Sequence, residues 1–232
     1  MTDFVFPAIA IPSVEVVGSR QRFPVRRIFC VGRNYAEHAR EMGGAPPEAP
    51  IFFTKPADAI VPNGASVPYP SRTSNLHHEV ELVVAIGRAG RDIQLGHALE
   101  HVWGYAVGND LTRRDQQAAA KKAGGPWDIA KGFDASAPIS AIRRVSPDDP
   151  HSHVTRGRIW LQVNGEMRQE SDVSEMIWKV PELIAELSVY FELRAGDLLY
   201  TGTPAGVGAL QPGARIECGV EGLEVLRNTI SS

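Results

Sequence analysis

Two acidic residues stand one apart in His77-His78-Glu79-Val80-Glu81, at the head of an apolar run. Side chains alternate along a strand, so Glu79 and Glu81 point to one face. That face continues as Val83 and Ala85, and the opposite one as Val80, Leu82, Val84 and Ile86. Both faces turn apolar at once, so two like charges enter a strand buried on two sides. Carboxylates at short range do not both stay ionised without a compensating positive charge, and a divalent cation is the simplest one. The competing reading is a solvated strand end. Asp110 is the candidate third acid, because it follows the apolar stretch Val102 to Val107 in Gly108-Asn109-Asp110-Leu111-Thr112. An Asp at a strand-to-helix junction is also an ordinary turn or cap residue. Three carboxylates and no thiolate suit a hard ion, Mg²⁺ or Mn²⁺. No histidine of the seven has zinc-like spacing with a cysteine, which sets zinc aside.

His38 and Glu41 stand at i and i+3 of a short helical stretch and share a face. A Glu beside a His orients the imidazole and raises its basicity, as activating a water requires. Most such pairs are solvated surface pairs, but a Gly/Pro-rich loop of the sort that closes over a site follows this one. Tyr200-Thr201-Gly202-Thr203-Pro204-Ala205-Gly206-Val207-Gly208 lacks the Gly-Lys-Ser/Thr ending of a nucleotide-binding loop. It offers backbone N–H and Thr hydroxyl groups to an anionic oxygen, or is simply a tight turn. Lys131 is either a snorkelling surface side chain or a cation near the site. Cys30, inside an apolar strand, reads as core rather than nucleophile.

These residues need positioning elements. Arg27 to Gly32, Ile51 to Thr54, Val80 to Ile86 and Val102 to Val107 read as strands. Asn34 to Met42 reads as a helix with Asn34 as its N-cap, followed by a loop over Gly43 to Pro50. Gly96 to His101 reads as a helical turn. Leu111 to Ala123 reads as a helix capped by Thr112, with Asp115 in its first turn. Asn164-Gly165 predicts a type I′ hairpin between Ile159–Val163 and Glu166–Gln169. Val180 to Phe191 reads as a helix with Pro181 in its first turn. Leu198 to Thr201, Arg215 to Val220 and Leu223 to Arg227 read as strands.

The chain has 232 residues, 43% of them hydrophobic, with a formal net charge of -3. That size suits one sizeable core, and the composition excludes a disordered chain. A slightly acidic balance leaves no footprint for general nucleic-acid binding. Two cysteines make no disulfide framework, which points to a reducing, cytoplasmic setting. Asp3, Pro7 and Pro12 spoil any reading of the first residues as a signal peptide, and nowhere do 18 apolar residues run together, so no membrane partner is expected.

Together these segments resemble the fumarylacetoacetate hydrolase family, nearest its short, single-domain acylpyruvase and fumarylpyruvate hydrolase branch. The carrying stretches are CVGRNYAEHAREMG (30–43), FFTKPADAIV (52–61), NLHHEVELVVAIG (75–87), GYAVGNDLTRRDQQ (104–117), PWDIAKGFDASAPIS (126–140), VNGEMRQE (163–170) and TGTPAGVG (201–208). The resemblance implies an α+β, β-rich fold, a mixed β-roll with a few short helices, usually as a homodimer. It implies a catalytic domain over 28–232; residues 1–27 carry no part of the resemblance and are expected to be an N-terminal extension packed on that domain. It implies Mg²⁺ or Mn²⁺ held by Glu79, Glu81 and Asp110. His38 and Glu41 would activate water from a lid segment, and Lys131 would be the site lysine, a candidate to stabilise an oxyanion. Thr203, Arg33, Arg114 and Gln117 would meet the substrate, a small 2-oxo acid. The implied reaction is hydrolysis of the C–C bond of an acylpyruvate, fumarylpyruvate first, giving fumarate and pyruvate. The alternatives are oxaloacetate decarboxylation through the same pyruvate enolate, more distantly a sugar-acid dehydratase or an isomerase, or a non-catalytic metal-binding homologue.

Overall fold

The protein is described by a computed structural model covering residues 4–146 and 148–232, so Asp3 lies outside the described residues. The fold is β-rich with short helices. An eight-stranded mixed sheet runs through Ile51–Lys55, Arg27–Gly32, Asp197–Tyr200, Val80–Ile86, Val102–Asn109, Ala137–Ile139 and Ile60–Pro62, with Arg143–Arg144 also pairing with Val102–Asn109. A five-stranded sheet runs through Glu166–Asp172, Arg158–Val163, Arg215–Val220, Leu226–Ser231 and Ser66–Pro68. A small third sheet joins Thr112–Arg113, Leu76–His78 and Gly208–Leu210. Among the described residues no helix is long and apolar enough to cross a membrane.

The Val80–Ile86 strand is buried at every position, between two antiparallel neighbours. Its alternation divides the interior, as the sequence pattern predicts. Val80, Leu82, Val84 and Ile86 pack with Leu161 of the five-stranded sheet and with Leu183 and Leu187. Val83 and Ala85 pack on the other side with Ile28, Cys30, Ala106 and Tyr200. Val14 and Phe23, from a small two-stranded sheet near the N-terminus, join this second core. Cys30 is core and unpaired, as is Cys218.

Among the described residues four α-helices decorate the sheets: α1 (Ala36–Glu41), α2 (Arg114–Ala123), α3 (Asp128–Lys131) and α4 (Val180–Tyr190). Two begin later than the sequence reading. Asn34 does not cap α1; its amide donates to Trp178 O and Thr201 O and accepts from Trp178 N–H. Thr112 does not cap α2; Thr112–Arg113 is a strand paired with Leu76–His78. In both places a tertiary partner outweighs the local preference of Asn and Thr for caps. The Asn164-Gly165 hairpin forms as expected, with positive φ at both residues (54° and 85°). The strand after Glu221-Gly222 spans Leu226–Ser231 rather than Leu223 to Arg227.

Candidate active site and metal centre

Glu79 lies where the chain leaves the three-stranded sheet at Leu76–His78 and enters the eight-stranded sheet at Val80. Its backbone is clamped there: its N–H donates to Asn109 Oδ1 at 2.9 Å, and its C=O accepts from Asp110 N–H at 2.8 Å. Those bonds bring Asp110, just past the end of Val102–Asn109, beside Glu79 and Glu81. One oxygen of each of the three acids lies within 4.8 Å of the others, and all three side chains are buried.

The compensating charge is partly the protein's own. Lys131, at the end of α3, donates from Nζ to Glu79 Oε2 (2.8 Å), Asp110 Oδ2 (2.6 Å) and Thr112 Oγ1 (2.7 Å). Arg114 donates to Glu79 Oε1. Lys55 Nζ stands 2.8 Å from Asp110 Oδ1, and it donates to the backbone oxygens of Leu111 and Lys131. Burial alone would raise the Glu79 carboxyl, but Lys131 and Arg114 hold it well below the ordinary carboxylate range. Burial would likewise lower the Lys131 ammonium, but Asp110 and Glu79 raise it. Glu81 has no such partner among the described residues: burial, then Asp110 and Glu79, push its carboxyl well up.

These acids fit a divalent metal. Their ligand atoms are hard oxygens, and Asp110 Oδ1 has no hydrogen bond despite the nearby Lys55. Glu81 is the acid with most to gain from an ion, since a bound cation offsets the burial and the repulsion from Asp110 and Glu79 that raise its carboxyl.

Lys131 is a buried cation and not a snorkelling surface residue. An ammonium has three protons, and all three are taken here by Glu79, Asp110 and Thr112. The lysine therefore holds the acids in place, with no ammonium proton left over for a further acceptor.

His38 sits on α1 with Nδ1 3.1 Å from Glu41 Oε2. Glu41 Oε1 accepts from Gly206 N–H at 3.0 Å, which ties α1 to the Thr201–Gly208 turn. Burial lowers the imidazole pKa, opposed by Glu79 and Glu41, so the ring is neutral at pH 7. With Nδ1–H given to Glu41, Nε2 is the basic nitrogen. One cavity is walled by His38, Arg33, Arg114, Gln117, Thr203, Lys131 and the three acids; Glu41 stands behind His38.

Four other contributors escaped the sequence reading. Lys55 looks like the end of an apolar strand. Lys121 also lines the cavity, and its spacing from Arg114 and Gln117 (i, i+3, i+7) would have placed it on their face of α2. Burial, then Arg33 and Arg114, lower its ammonium to about 8. Gln169 is buried against Thr203, and Asn34 pins the strand end at Thr201. Asn34 reads by type as a helix cap, and Gln169 carries no sequence signal beyond its place in a strand.

The family model for the C-terminal domain of fumarylacetoacetate (FAA) hydrolase matches residues 27–231. The chain belongs to this family. A fumarylpyruvate hydrolase from Pseudomonas aeruginosa, solved with Mn²⁺ and pyruvate, is 51% identical, covers 99% of both chains and superposes with a TM-score of 0.95. The mitochondrial oxaloacetate tautomerase of Bos taurus is 44% identical over 199 residues, 85% of this chain and 88% of its own. The mitochondrial oxaloacetate decarboxylase of Dictyostelium discoideum is 42% identical over 200 residues, 86% of this chain and 90% of its own. The β-rich roll described above is the fold of this enzyme family, and its buried Glu79, Glu81 and Asp110 have the composition of a divalent metal site.

Proposed function

We propose that this chain hydrolyses the C–C bond of an acylpyruvate, fumarylpyruvate before others, to pyruvate and a carboxylic acid. The observation that carries the reading is the neutral His38, held through Nδ1 by Glu41 on the wall that also bears the three acids. That pair is a water-activating base, and loss of CO₂ from a 2-oxo acid needs no attacking water. The end-to-end likeness to a fumarylpyruvate hydrolase supports the same choice.

Glu79, Glu81 and Asp110 would hold Mg²⁺ or Mn²⁺, which when bound supplies Lewis-acid polarisation of the 2-oxo acid end. Arg33, Arg114 and Gln117 orient the substrate through its carboxylate and oxo groups. His38 takes a proton from water at Nε2 while Glu41 fixes the ring. The water oxygen adds to the distal carbonyl carbon, whose oxygen takes up the negative charge, and the Thr203 hydroxyl donates to the 2-oxo acid end that leaves as pyruvate. The C–C bond breaks with its electron pair on the pyruvate fragment, which recovers the proton from His38. Lys131, Arg114 and Lys55 keep the acids aligned throughout.

Charge supports a doubly anionic substrate. Three acids meet three bases, Arg114 and Lys131 on the cavity wall and Lys55 behind Asp110, so a divalent ion leaves an excess of positive charge. Arg33 and Lys121 add to it, and neither forms an ion pair among the described residues.

A screen of acylpyruvates and oxaloacetate with and without Mg²⁺ or Mn²⁺ tests the reading. Loss of the enol absorbance of fumarylpyruvate, abolished by EDTA, is the expected result. Turnover of oxaloacetate alone would move the chain to the second reading, tautomerisation or decarboxylation, which the 44% and 42% identical relatives favour. We further propose a homodimer, a catalytic domain over residues 28–232 with 1–27 as its extension, and a cytoplasmic setting consistent with two free buried cysteines.

A further inference from the structure

Gln169 is buried on the Glu166–Asp172 strand, and its amide makes four hydrogen bonds. Two of them have a fixed direction. Oε1 accepts from Val80 N–H at 3.1 Å, and Nε2 donates to Pro204 O at 2.8 Å. Turning the amide over would set carbonyl against carbonyl and N–H against N–H, so only one orientation is tenable. The other two partners then lose their freedom. His78 must present Nδ1–H to Oε1, at 2.9 Å. Thr203 Oγ1 must accept from Nε2, at 2.8 Å.

A hydroxyl that accepts from Gln169 keeps its own proton to give. Among the described residues that proton has no acceptor, and Thr203 lines the cavity of the three acids. The turn cannot easily drift from this strand, since a Cβ on Gly206 would come within 2.0 Å of Arg168 O. The same amide grips Val80 N–H, between Glu79 and Glu81. We propose that Gln169 is a positioning residue that fixes the Thr203 hydroxyl as a hydrogen-bond donor toward the substrate. This rests on the reading of Thr203 as a substrate-facing group.

Binding of pyruvate to the Mn²⁺-loaded protein, followed by calorimetry, tests it without reference to turnover. Gln169→Glu offers an acceptor where the donor was, and draws the Thr203 proton away from the cavity. Gln169→Glu and Thr203→Val should each weaken pyruvate binding about tenfold, and the double variant should be no weaker than either single one. Thr203→Ser keeps the hydroxyl and should keep its sensitivity to Gln169→Glu. Gln169→Met takes the place of Gln169→Glu if the added charge prevents folding, as judged by the melting temperature. Equal losses for the Gln169 substitution in the wild-type and Thr203→Val backgrounds would overturn the proposal, because the amide would then act elsewhere. Wild-type pyruvate affinity in Thr203→Val would overturn it as well. Absence of acylpyruvate hydrolysis alone would count against the proposed reaction and leave this binding cycle to decide the role of Gln169.

Discussion

Gly202 N–H donates to Glu81 Oε2 at 2.8 Å, so the turn after Tyr200 holds the one acid of the cluster that no side-chain cation reaches among the described residues. Gly202 has φ 98°, and a Cβ there would stand 2.6 Å from Asn34 Cβ. Gly202→Ala is strained on both counts, and relief of that strain moves the N–H. Mn²⁺ affinity should fall about 10- to 100-fold, as for loss of other groups that orient metal ligands. Titration calorimetry returning wild-type affinity would refute the link.

The buried His38 predicts a pH profile. In the proposed reaction its proton-free form takes a proton from water, and burial lowers the imidazole below its usual range. The kcat should therefore hold at neutral pH and drop only as acid protonates the ring. His38→Ala should lower kcat by about 10²-fold or more, and Glu41→Gln by less. Unchanged kcat in His38→Ala would remove the base.

Lys121 predicts the opposite limb. Its ammonium, lowered to about 8 by burial, Arg33 and Arg114, is charged below that pH and neutral above it. An anionic substrate end favours the charged form, so KM for fumarylpyruvate should rise as pH climbs through about 8. Lys121→Met should raise KM at pH 7 with little change in kcat, and flatten that rise. A KM that ignores both the substitution and pH would discard this contact.

Lys131 sits between Glu79 and Asp110 with all three buried. Removing one partner from such a group leaves charge uncompensated in the interior, at a cost of about 3–5 kcal/mol. Lys131→Met should lose about that much unfolding free energy in EDTA, measured by denaturant titration. Added Mn²⁺ should recover more stability in this variant than in the wild type, since the ion then supplies the missing positive charge. Equal stability of both proteins in EDTA would show that the acids are not both ionised.

Much of this was legible in the residues because the deciding interactions are local. The alternation of Val80 to Ile86 foretold a strand with two cores, and the acids at its head could be read as misplaced charges. Asn164-Gly165 specified its own turn. What stayed hidden depends on chain closure. Lys55 acquires its role only when a strand 55 residues away in sequence delivers Asp110 to it. Thr112 resembles a cap by type, yet pairing with His77 and the proton from Lys131 decide its place. Lys131 could be recognised as near the site, but the commitment of its three protons could not.

The two oxygens of Glu41 have separate tasks, one toward His38 and one toward Gly206. Helix α1 is only six residues long; its start is held through Asn34 to Trp178 and Thr201, and its far end through Glu41 to Gly206. Seating that far end and aligning the imidazole thus share one latch. A protein whose α1 has swung away would present a base of the wrong orientation as well as an open cavity, and water meeting the acids in that state would go unactivated.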